Sequence, residues 1–357
     1  MVKFVKGNEA VVIGALYAGC DCYFGYPITP ASEIAHTASR HFPSVGRVFL
    51  QAECETAAIN MVYGAAAAGL RAITGSSGPG VSLMQETLSY MAGAELPGVV
   101  VNIQRAGPGL GNIYAEQADY NQAVKGGGHG SYHCIVLAPG NVQEMCDLTI
   151  RAFDLAFKYR NPVILLADAV LGQMMETLSL PDAEKPQPPC PDWAVRGDAL
   201  TRHNLITSIY LDAKELEANN IKLQAKYKAM RQDADAETYR IEDATIVLAA
   251  YGISSRIART AVDGLREAGI RAGLFRPVTL FPFPIERLAK SVRGRRLLVV
   301  ELGAGQLRDD MLFQLANHGE TLPPISLVNR MGGILLTVDD VVAATRQALA
   351  GERTPST

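Results

Sequence analysis

The chain has 357 residues, 48% hydrophobic and 19% charged, enough for two or three domains with ample core. A formal net charge of −3 gives no electrostatic support to a nucleic-acid or membrane-surface role. Charges, Gly and Pro interrupt every apolar run well short of a membrane span.

Asn8 is placed to cap a first helix that runs to about Ala18. A strand over residues 21–25 leads into Tyr26-Pro27-Ile28-Thr29-Pro30 and then a helix over residues 31–41. Pro27 fixes its own φ and biases Tyr26 towards an extended backbone. Thr29 falls where an N-cap belongs, with Pro30 at the first helical position. A hydroxyl and free N–H groups at such a junction suit an anion, although a well-capped βα turn reads the same way.

A strand over residues 48–51 precedes Glu53-Cys54-Glu55 and a helix over residues 57–68 rich in small residues. Both acids complement a helix N-terminus, and by themselves they need mean no more than that. A strand over 70–74 runs into Gly75-Ser76-Ser77-Gly78-Pro79-Gly80, which lacks the Lys and the spacing of a P-loop and reads as a tight βα turn before a helix over 83–93. The strand over 98–104 ends at Arg105, followed by Ala106-Gly107-Pro108-Gly109-Leu110-Gly111. Arg105 stands where open α/β sheets bind ligands, and its planar fork can grip a carboxylate; the ordinary alternative is a surface ion pair. Gly126-Gly127-Gly128-His129-Gly130 reads first as a flexible connection with a satisfied histidine, and secondarily as a mobile loop near a ligand, with His129 as a polar contact.

Strands over 134–137 and 163–167 flank a helix over 142–158. Short, continuous apolar strands between helices argue a parallel sheet buried on both faces. Pro181, Pro186, Pro188, Pro189 and Pro191 mark a linker. Residues 201–242 are long, charged and helical in pattern, and read as a solvated helical hairpin rather than a partner-docking arm. A second α/β unit starts at Ala244, with strands over 246–251, 272–275 and 297–301 and a helix over 254–268.

Taken in order, Tyr26-Pro27-Ile28-Thr29-Pro30, the Glu53–Glu55 segment, the Gly75–Gly80 turn and the Arg105 loop resemble the α subunit of the 2-oxoacid:ferredoxin oxidoreductases, thiamine-diphosphate and iron–sulfur enzymes of the pyruvate:ferredoxin oxidoreductase superfamily. The resemblance runs from about Gly7 to Thr337, and its nearest look is to the branched-chain, 2-ketoisovalerate type. The fold it implies is a thiamine-diphosphate (pyrimidine-type) parallel-sheet domain over 1–180, a Pro-rich linker and charged helical segment over 181–243, and a transketolase C-terminal-like α/β domain over 244–351.

The resemblance also implies roles. Glu55, with Glu53 as competitor, supplies the carboxylic acid that hydrogen-bonds a pyrimidine nitrogen of thiamine diphosphate, and Tyr26, Pro27 and Ile28 lie at the cofactor. Thr29 and Arg105 take the substrate carboxylate. Leu110 replaces the Thr found in enzymes of the 2-oxoglutarate type, which suits an apolar 2-oxoacid such as 3-methyl-2-oxobutanoate and leaves 2-oxoglutarate as runner-up.

Cys20, Cys22, Cys54, Cys134, Cys146 and Cys190 form no C-x-x-C pair and no ferredoxin run. The expectation is therefore no metal on this chain. [4Fe-4S] clusters belong on a ferredoxin-like δ subunit, and magnesium with the diphosphate on a β subunit, with a γ subunit completing the complex. Coenzyme A and ferredoxin would be co-substrates. The N-terminus lacks the apolar run of a signal peptide, so a cytoplasmic protein is expected. Two rivals stand beside this reading: a transketolase or dehydrogenase-like thiamine subunit without an iron–sulfur partner, and a non-catalytic assembly subunit on the same fold.

Overall fold

In the computed structural model, which describes residues 2–183, 185 and 190–351, the apolar runs become strands and the periodic segments between them become helices. The first half comprises β1 (Val2–Lys6), α1 (Gly7–Tyr17), β2 (Cys22–Gly25), α2 (Ser32–Ser44), β3 (Val48–Gln51), α3 (Glu55–Ala67), β4 (Ala72–Ser76), α4 (Gly78–Gly93), β5 (Gly98–Gln104), β6 (Ile135–Leu137), α5 (Val142–Tyr159), β7 (Pro162–Asp168), α6 (Ala169–Gln173) and β8 (Met175–Ser179). Then come α7 (Ala213–Ala229), β9 (Ala236–Tyr239), β10 (Ile246–Ala249), α8 (Gly252–Glu267), β11 (Ala272–Pro277), β12 (Thr279–Phe281), α9 (Ile285–Val292), β13 (Arg296–Glu301), α10 (Gln306–Asn317), β14 (Ile325–Asn329) and α11 (Val338–Ala350).

The main sheet has seven strands in the order β12-β6-β7-β5-β4-β2-β3, parallel throughout except for β12. Every residue of β5 and β7 is buried, as a sheet covered by helices on both faces requires. The chain moves from β2 outward to β3, then returns to the other side of β2 as β4 and continues to β5. That reversal opens a crevice beyond the carboxyl ends of β2 and β4, where open α/β sheets bind ligands. A second sheet, in the order β14-β13-β10-β11-β9, has β9 as its antiparallel edge.

The two sheets are not independent. β12 leaves the second unit to pair with β6, Thr279 opposite Leu137. The Gln117 side chain donates to the Tyr251 carbonyl (2.8 Å) and accepts from Ser254 Oγ (2.9 Å) and the Leu302 N–H (3.0 Å). Asp168 caps α6 through the Leu171 N–H and also accepts from the Ile253 N–H of the other unit, at 2.9 Å. Nearby, Tyr120 and Lys125 both hold the buried Asp310 carboxylate.

Several local expectations change. Helix α1 starts one residue ahead of Asn8, because the Lys6 N–H finds the Glu9 carboxylate (3.0 Å). Asn8 instead lies buried, donating to the Pro30 carbonyl (2.7 Å). Thr29 is not an N-cap, nor is Pro30 the first helical residue. The Ala31 N–H bonds the Ile28 carbonyl and the Ile34 N–H bonds that of Ala31, so a turn intervenes and α2 begins at Ser32. Helix α4 begins at Gly78, taking in half of the glycine turn. Residues 201–242 hold one helix, α7, followed by a 3-10 turn and β9. That helix is docked rather than free: Leu223 and Tyr227 are buried, and Lys226 reaches Glu95 (3.4 Å) and the Arg160 carbonyl (3.2 Å). Burial lowers the Lys226 pKa to about 8 against the pull of Glu95. Pro186, Pro188 and Pro189 of the expected linker fall outside the described residues.

Glu301, at the end of β13, bonds the Leu307 N–H at 2.8 Å through one oxygen, while the other is buried without a partner. Burial raises its pKa to about 7. A raised pKa means that the folded state holds the proton more tightly than the unfolded chain. This stabilisation is complete below the ordinary carboxyl range and fades as the pH rises towards about 7. Glu301→Gln has no such proton to lose. The Tm of the native chain should therefore fall relative to Glu301→Gln as pH rises through that window, then run parallel above it; calorimetric scans of both proteins across pH check this.

Candidate active site

Four strand ends converge on the crevice. Residues 26–29 follow β2, the β3–α3 junction brings Glu55, β4 ends at Ser76, and β5 ends beside Arg105.

The β3–α3 junction separates the two acids. Ala52 is tied to the Gly25 carbonyl (2.9 Å) and Cys54 is extended, so Glu55 is the first residue of α3. Glu55 is 6% exposed, whereas Glu53 points to solvent. No hydrogen bond to the Glu55 carboxylate is formed within the described residues, and its place in the first turn of α3 sets it at a helix N-terminus. Its side chain lies across Gly80 in the first turn of α4. A Cβ on Gly80 would come within 2.4 Å of Glu55 Oε1 and 2.2 Å of Ser76 Oγ, so the carboxylate occupies space that only glycine leaves open. The Ser76 and Ser77 hydroxyls beside it are buried and unpartnered. A buried acid among orphaned hydroxyls is a cradle that fits a polar heterocycle such as the pyrimidine of thiamine diphosphate.

Arg105 lies over the start of α4, its Cγ 3.8 Å from where a Gly78 Cβ would be. It donates to the Thr29 carbonyl (2.8 Å) and the Leu110 carbonyl (3.1 Å), and its Nε is buried without a partner. Thr29 thus meets Arg105 and Leu110, which lie far from it in sequence. Leu110 joins through its backbone, and its side chain is 80% exposed. Tyr26 is exposed and Pro27 and Ile28 half-buried on the same rim. Thr29 also forms the wall of a cavity of about 630 Å³ lined by Ile113, Tyr114, Ala115, Ala169, Val170 and Met174, with Glu33 as its charged group. Burial disfavours the Glu33 charge, but bonds from Lys6, Gln173 and Asn8 prevail and lower its pKa.

Sequence reasoning missed the polar layer beneath Arg105. Asn102 donates to Asp119 at 2.9 Å, and Gln104 accepts from the Asp119 N–H at 3.2 Å. Burial raises the Asp119 pKa, with the Asn102 bond and the Arg105 charge opposing and Glu116 adding to the rise. Two amides inside the apolar run of β5 were the available signal. The run Gly126–Gly130 sits elsewhere, along the flank of α4: Ser89 donates to the His129 carbonyl (2.6 Å), and the His129 ring meets Tyr90 edge-on.

Residues 13–242 match the family described as pyruvate flavodoxin/ferredoxin oxidoreductase, thiamine diphosphate-binding, and residues 244–341 match pyruvate:ferredoxin oxidoreductase core domain II. The fold is that of a thiamine-diphosphate-binding α/β domain followed by a second α/β unit. The ketoisovalerate oxidoreductase subunit VorB of Methanothermobacter marburgensis is 60% identical, covering 98% of both chains. The 2-oxoglutarate synthase subunit KorA of Methanocaldococcus jannaschii is 37% identical, covering 94% of this chain and 96% of its own. The structure of 2-oxoglutarate:ferredoxin oxidoreductase from Magnetococcus marinus, solved with 2-oxoglutarate, coenzyme A and succinyl-CoA bound, superposes with a TM-score of 0.87 at 26% identity. It covers 98% of this chain, which spans 65% of that one. The chain belongs to the 2-oxoacid:ferredoxin oxidoreductase family, as one subunit of a multi-subunit enzyme. No helix among the described residues is long and apolar enough to cross a membrane.

Gly80→Ala tests the cradle directly. The new methyl must displace Glu55 or Ser76, so turnover of the assembled enzyme should fall by at least roughly tenfold, as expected when a reacting group is misplaced. The circular-dichroism spectrum of the chain should remain native.

Proposed function

We propose that this chain is the α subunit of a cytoplasmic branched-chain 2-oxoacid:ferredoxin oxidoreductase that converts 3-methyl-2-oxobutanoate, coenzyme A and oxidised ferredoxin to acyl-CoA, carbon dioxide and reduced ferredoxin. The observation that carries the reading is the pairing of buried Glu55, held over Gly80, with Arg105 and Thr29 on one sheet edge. Bound in the crevice, thiamine diphosphate would supply the nucleophilic carbon that attacks the 2-oxo group and the sink for the electron pair left by carbon dioxide. Glu55 would hold a pyrimidine nitrogen and move its proton. Arg105 would turn unused donors to the substrate carboxylate, with the Thr29 hydroxyl beside it. A β subunit would hold the diphosphate and its magnesium, a γ subunit would complete the assembly, and a ferredoxin-like δ subunit would carry the [4Fe-4S] clusters.

The apolar wall of Ile113, Tyr114, Val170 and Met174 favours a branched aliphatic side chain over 2-oxoglutarate. A second carboxylate placed there would meet Glu33, whose partners are already engaged. The 60% identity to a ketoisovalerate oxidoreductase subunit points the same way.

Reconstitution with the partner subunits, assayed on a panel of 2-oxoacids with coenzyme A and ferredoxin, tests the substrate; preference for 2-oxoglutarate would overturn it. In that assay Glu55→Gln should lower kcat by on the order of a hundredfold or more, the scale of a lost proton-transfer group, while thiamine diphosphate still binds. Glu53→Gln should be mild. Arg105→Ala should weaken kcat/KM by roughly 2–5 kcal/mol for every 2-oxoacid alike, the cost of a buried anion losing its charged partner; a loss confined to one substrate would contradict the carboxylate role.

A further inference from the structure

Two loops from different sheets meet beside Arg105, and one carboxylate joins them. Glu116 is 4% exposed. Its Oε2 accepts from the Gly107 N–H at 3.0 Å, and its Oε1 accepts from the Gly332 N–H at 3.2 Å. Gly107 opens the loop that carries Leu110; Gly332 follows β14 in the second sheet. Asn112 adds a second tie, its Nδ2 donating to the Gly332 carbonyl at 3.0 Å. The loops approach closely as well: Gly333 has φ +87°, and a Cβ there would lie 2.6 Å from that of Tyr114. Within the loop, the Ala106 N–H bonds the Tyr114 carbonyl (2.9 Å) and the Asn112 N–H bonds that of Ala106 (3.1 Å). At its apex is the Leu110 carbonyl that Arg105 holds. An unbroken set of bonds therefore runs from β14 to the guanidinium.

Glu116 is not needed to dock the two units. Gln117 and Asp168 already bridge them with several buried bonds. What Glu116 alone provides is a charge-assisted pair of bonds that fixes the Arg105 loop against the second unit. We infer that Glu116 is a positioning residue, through which the second domain sets the geometry of the substrate-carboxylate loop. This rests on the proposed role of Arg105. Glu55 sits at the start of α3, outside this set of bonds, so the effect should fall on substrate binding rather than on the chemical step.

The test uses Glu116→Gln, of the same shape but able to accept from only one of the two N–H groups, and Asn112→Asp. The latter keeps the oxygen that accepts from the Tyr114 N–H (2.9 Å) and loses the donor to Gly332. In the reconstituted enzyme Glu116→Gln should raise KM for 3-methyl-2-oxobutanoate and 2-oxoglutarate alike by roughly tenfold, the effect of losing one hydrogen bond to a charged group, and Asn112→Asp, whose lost bond is exposed, should raise both by a smaller factor. Within about threefold, kcat should hold, since the interaction lost serves ground state and transition state equally. Hydrogen exchange in the isolated chain should quicken at residues 106–112 and 330–335 and stay unchanged in β10 and β13. Unchanged KM and exchange would overturn the inference. So would a fall in kcat alone, or faster exchange throughout the chain, which would make Glu116 merely structural. A native complex that turns over no 2-oxoacid would instead refute the function proposed above, and the exchange pattern would still report whether Glu116 holds the loop.

Discussion

A carboxylate that is to act on a bound heterocycle must be kept from water without being consumed by another partner in the protein. Glu55 meets that demand because α3 and α4 start side by side, and because Gly80 has no side chain where the carboxylate lies. The demand reaches into the fold. Two helices can begin together only if their strands end together, and parallel strands of one sheet all end on one edge. The return of the chain across β2 then opens the crevice there. The orphaned Ser76 and Ser77 hydroxyls belong to the same arrangement: buried polar atoms left without protein partners are costly unless a ligand supplies one.

Positive charge is placed as selectively. Arg105 is held by two backbone carbonyls rather than by a carboxylate, so its charge is oriented but not neutralised. Asp119, which feels the Arg105 charge, has a raised pKa because it is buried, and its bond to Asn102 keeps it in place. An arginine paired to an acid would have offered a substrate anion little; one fixed by neutral dipoles keeps its charge for a bound anion.

The second sheet contributes support. β12 crosses into the first sheet, and Gln117, Asp168 and Asp310 each form hydrogen bonds across the joint. Removing either unit would leave buried polar groups of the other unpaired, at a cost of about 1–3 kcal/mol each. The two units thus behave as one body, and the Arg105 loop lies at their seam.

Sequence alone established the order of alternating strands and helices, because period and apolar runs are local properties that burial on both faces makes plain. It also singled out Tyr26 to Thr29, Glu55 and Arg105 as candidates, since each sits directly at a strand end or a helix start, with Leu110 in the loop that follows Arg105. Local signals could not rank Glu55 above Glu53: which acid is buried depends on how α3 lies against α4, and that depends on Gly80, twenty-five residues away. They misplaced the start of α2, because Asn8 from another helix binds the Pro30 carbonyl, and they read α7 as solvated, because its docking depends on Glu95 and Arg160. They passed over Asn102, Asp119 and Glu116, whose partners lie on other loops and, for Glu116, in the other sheet. What a residue does through its neighbours in the chain was legible in the sequence. What it does through residues that only folding brings near was decided by the tertiary structure, because burial and hydrogen-bond satisfaction are properties of the packed whole.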